Sequence, residues 1–574
     1  MLNLIPQVKE LAFTGGSLAY KSVDLRGLAC DERILAALGK LPVSADGVPV
    51  CVQVGTEGGE GYALSVRTDG IRITAGSAAG AFYAVQTLRQ IFAHEVVPCL
   101  EIRDEPDFAY RGFYHDVTRG KVPNCETLEQ LVERMAYFKL NSLQLYVEHV
   151  YEFREYRDII DKTGYMTKEE LLRIGECCRQ NFVEFIPSLS TFGHLYELLQ
   201  QEQYRHLRVL KDYEDEPNFW SARMRHHTID PLQPQSFEVI KSLIDQYEPL
   251  FESEVFNICC DETFDLKVLE GTEHDPGKVY VDFVKKIIAH LHGNGKKIMM
   301  WADILLKHPE VIEELPEDTC FLNWCYRAQP VEEDIQRFAA LNRRQIVCPG
   351  TTTWNRLCER FEKEEPNICL MAEYGKKYGA EGVLNTNWGD WGNPCSLELA
   401  MYGMVLGAEK SWSVGTAVDA DFYDAVSFLL YGREKAVELL QELVELHNRV
   451  NWCSLLMASF GTPREDVPIL RGEIADLQEV YLSFVQKLSG EVWEKDEYRQ
   501  EMLLCAEGVC VIAELGARLE QGWSGERLTD TGEWLRKYRE KWLEKNKESE
   551  LSLLEAAFRK VEEHPDFDSL KAAQ

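Results

Sequence analysis

The stretch FNICCDETFDL, residues 256–266, decides how the rest of the chain is interpreted. A largely apolar run from Phe256 to Cys260 ends in two adjacent carboxylates, Asp261 and Glu262. The run predicts a buried strand, and because unpaired charge is costly to bury, the pair must either reach solvent or serve a chemical purpose. For an isolated Asp-Glu pair, a solvated strand end is the more common explanation. The residues on both sides of this stretch distinguish a solvated strand end from a chemical role.

Residues 108–415 alternate between strand-like and helix-like segments on both sides of this stretch. Amphipathic helices such as LEQLVERMAYFKL (128–140) and YVDFVKKIIAHLHGNG (280–295) separate the strands. Eight repeats in about 300 residues predict an α/β fold with a closed (β/α)₈ TIM barrel. A doubly wound open sheet is the alternative, but no GxGxxG or P-loop motif follows a predicted strand. The predicted strands cover residues 111–117, 142–148, 183–190, 255–262, 297–303, 320–326, 345–352 and 382–388.

Two further regions flank the predicted barrel. Residues 1–107 contain a hairpin pattern, YALSVRTDGIRITAGS, with Asp69-Gly70 at the turn, and a helical pattern after it. They predict a small α/β domain. Residues 416–574 show apolar spacing of i, i+3 and i+4 throughout and predict an α-helical domain.

Composition narrows the class of protein. The formal net charge of -33 disfavours nucleic acid and anionic membranes as partners. The 17 cysteines include no CxxC motif, which argues against a disulfide framework and a zinc site. No secretory signal pattern and no apolar run of membrane-spanning length are present in the sequence. Together these features predict a cytoplasmic enzyme or binding protein.

Polar and aromatic residues gather where the predicted strands end. In a barrel of this type the active site is built at the carboxyl ends of the strands. Indole rings stack on the apolar faces of sugars, while carboxylates and arginines bind hydroxyl groups, so the set predicts a carbohydrate site. The residues in question are Arg111 and Arg119 (strand one), His194 (three), Asp261 and Glu262 (four), Trp301 and Asp303 (five), Trp324 and Tyr326 (six), Trp354 (seven), and Trp388 and Asp390 (eight).

The adjacency of Asp261 and Glu262 limits the mechanism. Glycoside cleavage needs an acid for the leaving oxygen and a group that stabilises the oxocarbenium-like centre. Successive strand residues point to opposite faces, so neighbours cannot flank one bond as two separated carboxylates do. Both can reach one pocket where the chain turns outward at the strand end. This favours substrate-assisted hydrolysis, in which the 2-acetamido oxygen of the sugar is the nucleophile.

The order of these motifs resembles that of the family 20 glycoside hydrolases, the β-N-acetylhexosaminidases, in their bacterial three-domain form with a helical C-terminal domain. The similarity spans about residues 60–415. It is carried by EGYALSVRTDGIRITAGSAAGAFYAVQTLRQIF before the barrel and by YRGFYHDVTR, IPSLSTFGH, FNICCDE, MMWADIL, NWCYR and NTNWGDW within it.

The resemblance implies an exo-acting, retaining enzyme that releases terminal β-linked GlcNAc or GalNAc through an oxazolinium intermediate. Asp261 would orient the acetamido group and Glu262 would be the general acid/base. Arg111 and Asp390 would hold sugar hydroxyls, and the strand-three histidine maps onto His194. Trp301, Trp324 and Trp388 would wall the pocket. The resemblance implies no metal or organic cofactor. The expected partner is an oligosaccharide or glycoconjugate with a terminal N-acetylhexosamine. A homodimer is a further alternative that the sequence does not decide.

The sequence departs from this family at three places. Cys259-Cys260 replaces the usual glycine pair, LQLYVEHVYEF differs from the usual strand-two segment, and the strand-seven tyrosine is missing, with Trp354 nearby and Tyr326 as a substitute. Two alternative functions therefore stay open. One is a retaining glycosidase with a protein nucleophile, for which Glu148 or Asp303 would be candidates. The other is a catalytically silent carbohydrate-binding barrel.

Overall fold

A computed structural model describes residues 2–19, 21–56, 58–160, 163–211, 218–225, 227–462, 467–564 and 566–572. The first region forms a six-stranded mixed sheet with the strand order β1-β6-β4-β5-β3-β2. Helix α2 buries most of its length against this sheet. The predicted hairpin is confirmed, since Arg67 and Gly70 pair across its turn. The elements are β1 Glu10–Ser17, β2 Val23–Asp24, α1 Glu32–Leu38, β3 Val48–Val54, β4 Tyr62–Arg67, β5 Gly70–Ala75, α2 Ala78–Ala93 and β6 Pro98–Asp104.

The second region is a closed parallel barrel, which confirms the predicted fold class. Its eight strands follow the order β10-β11-β12-β13-β14-β7-β8-β9. The two ends of that order meet, because the Asn257 amide donates to the Pro187 carbonyl (2.9 Å) and the Leu189 amide donates to the Asn257 carbonyl (3.1 Å). The open-sheet alternative is wrong for this reason. The strands are β7 Tyr110–Asp116, β8 Ser142–Tyr146, β9 Glu184–Ile186, β10 Val255–Asn257, β11 Lys297–Trp301, β12 Cys320–Trp324, β13 Gln345–Cys348 and β14 Gly382–Asn387.

Helices cover the outside of the barrel, and each long one presents an apolar face to the strands, as in α3, where Leu128, Leu131, Val132 and Met135 are buried. Short helices occupy the loops at the carboxyl ends of the strands. The helices are α3 Cys125–Tyr137, α4 Lys168–Gln180, α5 Tyr196–Gln200, α6 Phe219–Arg223, α7 Pro234–Tyr247, α8 Pro276–Gly293, α9 Asp303–Lys307, α10 Glu332–Ala340, α11 Phe361–Lys377 and α12 Met401–Trp412.

The strand that precedes the two adjacent carboxylates is shorter than its sequence predicts. Strand β10 ends at Asn257, whereas the apolar pattern predicted extended backbone to residue 262. Cys259 and Cys260 adopt left-handed backbone conformations, with φ of 56° and 63°, and Glu262 does so with φ of 49°. This conformation turns the chain out of the sheet and is disfavoured for residues with a Cβ atom. Cys259 is nevertheless fully buried among the side chains that fill the barrel.

The third region is helical and packs against the barrel. The Trp452 indole in α15 donates to the Trp391 carbonyl at 2.8 Å, and the Tyr538 hydroxyl in α18 donates to the Pro394 carbonyl at 3.0 Å. No helix in the described part of the chain is both long and apolar enough to cross a bilayer. The helices are α13 Ala420–Leu429, α14 Ala436–His447, α15 Trp452–Ser459, α16 Ile474–Ser489, α17 Asp496–Gln521, α18 Thr531–Lys545, α19 Leu551–Glu563 and α20 Phe567–Ala572.

Candidate active site

A cavity of about 190 Å³ opens at the carboxyl ends of the barrel strands. Nine of the residues that the sequence places at the strand ends line it, and Met224 is the tenth lining residue. The lining residues are Arg119, Met224, Asp261, Glu262, Trp301, Trp324, Tyr326, Trp354, Trp388 and Asp390.

The two adjacent carboxylates converge on a single atom. His194 Nε2 lies 3.2 Å from Asp261 Oδ2 and 3.3 Å from Glu262 Oε2. The left-handed backbone at Glu262 removes the strand alternation that would have separated the two side chains. The Glu262 amide also donates to Asp303 Oδ2 at 3.2 Å, which fixes this turn. The Asp261 side chain is 11% exposed and that of Glu262 is 23% exposed, so Glu262 lies nearer the opening.

His194 is a buried charged group beneath the two carboxylates. Its Nδ1 faces Arg119 Nη2 at 3.3 Å and Glu148 Oε1 at 3.7 Å. Burial by itself would lower the pKa of His194, but Asp261 and Glu262 outweigh it and raise the pKa to about 10. The imidazole is therefore protonated at neutral pH. It balances the charge of the carboxylate pair and lies close enough to exchange a proton with Glu262.

The raised pKa of His194 predicts a loss of stability at alkaline pH. The folded pKa of about 10 exceeds an unfolded value of about 6.5, so the stabilisation is complete below that value and disappears as the pH rises towards 10. Over this window the unfolding free energy should fall by an amount on the order of a few kcal/mol. Thermal denaturation from pH 6 to 10 measures it. His194→Gln should show a much smaller decline, and equal declines in the two proteins would contradict this assignment.

The backbone of Gly193 leaves no room for a side chain beside the carboxylate pair. A Cβ atom at this position would lie 2.5 Å from the Asp261 carbonyl oxygen, which belongs to rigid backbone. Gly193→Ala should therefore displace Asp261 and lower kcat by about 30-fold, because small misplacements of reacting groups are costly. Gly175→Ala is the control, since its Cβ would meet only Phe185 at 3.8 Å. Steady-state kinetics of both variants test this, and full activity of Gly193→Ala would show that Asp261 can move without loss.

Aromatic rings form three walls of the cavity. Trp301 and Trp388 form its deep end, with ring centroids 6.0 Å apart. Trp324 stacks on Tyr326 at 5.0 Å, and Tyr326 packs against Trp354 at 5.4 Å. The Trp388 indole donates to the Tyr326 hydroxyl at 2.7 Å, which holds that hydroxyl at the cavity surface. Such a box suits the apolar faces of one sugar ring with a small substituent.

An ion pair closes the remaining side of the cavity. Arg119 Nη1 lies 3.0 Å from Asp390 Oδ1, and the guanidinium stacks over Tyr146 and Trp388 at 4.9 and 5.3 Å. Burial raises the pKa of Asp390 to about 6, although Arg119 opposes that shift. A paired arginine and carboxylate offer both donors and acceptors, which is what vicinal hydroxyl groups require.

Family models match most of the chain. The model for the glycosyl hydrolase family 20 catalytic domain matches residues 108–412, and the model for domain 2 of that family matches residues 1–105. The chain belongs to glycosyl hydrolase family 20. The matched ranges coincide with the sheet region and with the barrel including its last helix, α12.

Two similar proteins carry the name beta-hexosaminidase. A beta-hexosaminidase of Porphyromonas gingivalis is 27% identical over 286 residues, which cover 43% of this chain and 36% of that protein. One from Emericella nidulans is 23% identical over 296 residues, covering 46% and 49%. The chain thus spans half or less of the length of these two relatives. The hexosaminidase activity in their names is that of those two proteins.

Solved structures share the fold. The Flavobacterium johnsoniae chitobiase has a TM-score of 0.61 at 16% identity, covering 100% of this chain and 99% of that one. The Streptomyces plicatus N-acetyl-beta-hexosaminidase has a TM-score of 0.58 at 19% identity, covering 75% and 94%. At these identities the similarity establishes the architecture alone.

In this family 20 chain, the prediction that Arg111 binds sugar hydroxyls is wrong. Arg111 is the second residue of β7, at the end of the barrel opposite the cavity, and it is fully buried. Its guanidinium donates to the Lys139 carbonyl at 2.9 Å and pairs with Glu60 of the first region at 2.5 Å. Arg119, which follows the carboxyl end of the same strand, lines the cavity instead. Only the position of each arginine relative to the strand end distinguishes the two in the sequence.

The two candidate protein nucleophiles of this family 20 barrel lie outside the cavity lining. Asp303 is buried and accepts from the Glu262 amide, and burial together with Asp261 and Glu262 raises its pKa to about 7. Glu148 accepts from the Tyr146 hydroxyl at 2.7 Å and lies under His194. Both carboxyl groups contact residues of the site, Asp303 the Glu262 amide and Glu148 the His194 imidazole, without lining the cavity themselves. Of these carboxyl groups, Asp261 is the one that faces the cavity together with Glu262.

One cluster in the described part of the chain has ligand atoms close enough together for a metal ion. The ligand atoms of His194, Asp261 and Glu262 lie within 4.8 Å of one another. A metal ion bound there would have to displace the proton of His194, whose pKa burial lowers but Asp261 and Glu262 raise to about 10.

Met224 is the lining residue that sequence reasoning missed altogether. It follows α6 in the long segment between β9 and α7, and it lines the same cavity as the two carboxylates. No motif marks it, because a methionine at a loop position has no distinctive spacing. Only the path of this segment over the barrel brings it to the site.

Proposed function

We propose that this family 20 chain is an exo-acting, retaining β-N-acetylhexosaminidase that uses the substrate's 2-acetamido group as the nucleophile. The observation that carries the proposal is the convergence of Asp261 and Glu262 on His194 inside an aromatic cavity. Two carboxylates so close together leave no room for a protein nucleophile on one face and an acid on the other. An acetamido group placed between them supplies the nucleophile itself.

The first step breaks the glycosidic bond. The acetamido oxygen attacks the anomeric carbon from below, while Glu262 gives its proton to the departing oxygen. Asp261, which lies deeper, accepts the acetamido N–H and balances the positive charge of the oxazolinium ring. Trp301 and Trp388 enclose the methyl end of the acetamido group, and the Tyr326 hydroxyl can donate to its oxygen. His194 lies within 3.3 Å of Glu262 Oε2 and stabilises the carboxylate that remains once the proton has left.

The second step returns the enzyme to its starting state. Glu262, now a carboxylate, takes a proton from water, and the water oxygen opens the oxazolinium ring at the anomeric carbon. Attack occurs on the face from which the leaving group departed, so the configuration is retained. Arg119 and Asp390 hold the hydroxyls of the terminal ring at the closed side of the cavity, which favours removal of one sugar at a time.

Turnover of four nitrophenyl glycosides tests this proposal. The β-GlcNAc and β-GalNAc glycosides should be hydrolysed, while the β-Glc and β-Gal glycosides, which lack the acetamido group, should not. A thiazoline mimic of the cyclised acetamido group should inhibit competitively. Hydrolysis of the plain glucoside or galactoside without thiazoline sensitivity would support a protein nucleophile instead. Thiazoline binding without turnover of any glycoside would support a silent binding barrel.

We also propose that the protein works in a reducing compartment, consistent with the cytoplasm. No disulfide joins any of the 17 cysteines, all of which lie in the described part of the chain, and the neighbours Cys259 and Cys260 are both buried. Fractionation of the producing cells with an antibody against the protein tests this. Recovery outside the cytoplasmic fraction would contradict it.

A further inference from the structure

One short loop of the helical C-terminal region, residues 546–550 between α18 and α19, contacts the active-site end of the barrel. Its contacts fall on the segments that follow three consecutive barrel strands. The Lys547 amide donates to the Val122 carbonyl at 2.8 Å, in the segment after β7. Glu550 pairs with Arg223, in the segment after β9. Further hydrogen bonds join Ser549 to Gly120 and to Thr163, and Lys547 to Tyr165.

The ion pair between Glu550 and Arg223 is buried and contains two hydrogen bonds. Arg223 Nη1 donates to Glu550 Oε2 at 3.1 Å, and Arg223 Nη2 donates to Glu550 Oε1. The two side chains are 2% and 17% exposed. Glu197 is a more distant partner, 3.6 Å from Arg223 Nη2. A forked guanidinium bound to a carboxylate in this way has little freedom to move, so Glu550 fixes the position of Arg223.

Helix α6, Phe219–Arg223, has little stability of its own, because five residues form barely more than one turn. Its position therefore depends on what it contacts. Trp220 is buried and packs edge-on against Phe460 of the helical region, with ring centroids 5.9 Å apart. Arg223, its last residue, is held by Glu550. Both anchors come from the helical C-terminal region.

Met224 follows directly after this helix and lines the cavity. Its segment starts from β9, which is the neighbour of β10 in the closed barrel, and β10 leads to Glu262. Glu262 is the more exposed of the two carboxylates, so the leaving group departs on its side of the cavity. Because Met224 comes from the segment that follows the neighbouring strand, we place it beside the path of the leaving group.

We infer that Glu550 is a positioning residue for the leaving half of the substrate. Through Arg223 it fixes the position of Met224, and the sugar on the reducing side packs against the Met224 side chain. This inference rests on the proposed hexosaminidase function. A thioether is polarisable and adapts to irregular partners, so it suits an apolar sugar face. The helical region then takes part in the recognition of oligosaccharides, although it contributes no lining residue of its own to the cavity among the described residues.

Steady-state kinetics with N,N′-diacetylchitobiose test the inference. Glu550→Gln and Met224→Ala should each raise KM by about fivefold while kcat changes by less than about twofold. The Ki of the thiazoline inhibitor, which occupies only the terminal-sugar position, should stay unchanged. The double variant should match the single ones, because both substitutions remove the same contact. An unchanged KM in Glu550→Gln, or additive effects in the double variant, would overturn the inference.

A matched control separates positioning from general stability. Glu555 has a similar exposure of 12% and accepts from Arg539 at 3.2 Å, entirely within the helical region. Glu555→Gln should lower Tm about as much as Glu550→Gln and leave KM unchanged. If KM and the inhibitor Ki rise in parallel in both variants, Glu550 acts only through stability and the inference is wrong.

Hydrogen exchange gives a readout that needs no turnover. Amides 219–225 should exchange at least about threefold faster in Glu550→Gln than in the wild type, and at the wild-type rate in Glu555→Gln. Equal protection in all three proteins would overturn the inference even if the enzyme is fully active. Failure of the wild type to act on any acetamido glycoside would instead refute the proposed function, and with it the role given to the leaving sugar.

Discussion

Replacing Glu262 with glutamine is expected to lower kcat/KM for N,N′-diacetylchitobiose by about 10³-fold, within the range that a general acid contributes. A sugar alkoxide is a poor leaving group, so its departure needs the proton that Glu262 supplies. Glutamine keeps the size of the side chain and its contact with His194, which is 3.3 Å from Glu262 Oε2. The fold should be preserved, and the loss should therefore be chemical.

The leaving group provides the internal control for this variant. Dinitrophenolate departs without a proton, so kcat/KM for dinitrophenyl β-GlcNAc should fall by no more than about tenfold. Because kcat/KM reports only the steps up to the first irreversible one, slower breakdown of the intermediate does not obscure the comparison. Equal losses on both substrates would mean that Glu262 is not the acid. Full activity on the disaccharide would refute the assigned mechanism.

Replacing Asp261 with asparagine is expected to lower kcat/KM for acetamido substrates by about 10²- to 10³-fold, the usual cost of removing a preorganised electrostatic contact at a reacting centre. The carboxylate balances the positive charge that develops on the oxazolinium ring, and a neutral amide cannot do so. The thiazoline inhibitor, which resembles that ring, should bind more weakly by a comparable factor. Steady-state kinetics and inhibition measure both effects.

Asp265→Asn is the matched control for Asp261→Asn. Asp265 lies four residues further along the same segment, where it accepts from the Thr228 amide at 2.9 Å, and it does not line the cavity. Its replacement should leave kcat/KM and thiazoline binding near their wild-type values. If Asp261→Asn kept its inhibitor affinity while losing turnover, the carboxylate would act on the nucleophile in some other way.

The barrel and most of the cavity could be predicted because their signals are local. Each strand is recognised from a short apolar run, and a parallel barrel gathers whatever follows its strands at one end. Trp301, Trp324, Trp388 and Asp390 therefore reach the cavity as predicted. The same rule places Arg119 there and Arg111 at the opposite end, whereas the family resemblance implies Arg111 for the site.

The backbone around the carboxylate pair could not be predicted from residue types. Cysteines and a glutamate seldom adopt positive φ, so an apolar run up to Glu262 reads as continuous strand. The conformation exists because surrounding contacts hold it, among them the bond from the Glu262 amide to Asp303. Strain of about 1–3 kcal/mol at such positions is tolerated where the site requires it.

The sequence by itself determined the three-region organisation, the barrel, and the residue types at its carboxyl rim, because these follow from periodicity and strand polarity within short segments. Only the tertiary structure decided which groups meet. Arg119 and Asp390 pair across 271 residues, and Arg223 pairs with Glu550 across 327. Such contacts depend on how distant segments pack, and no local pattern encodes them. The adjacent carboxylates Asp261 and Glu262 can therefore be recognised in the sequence, whereas the cation that balances their charge and the residues that surround them cannot.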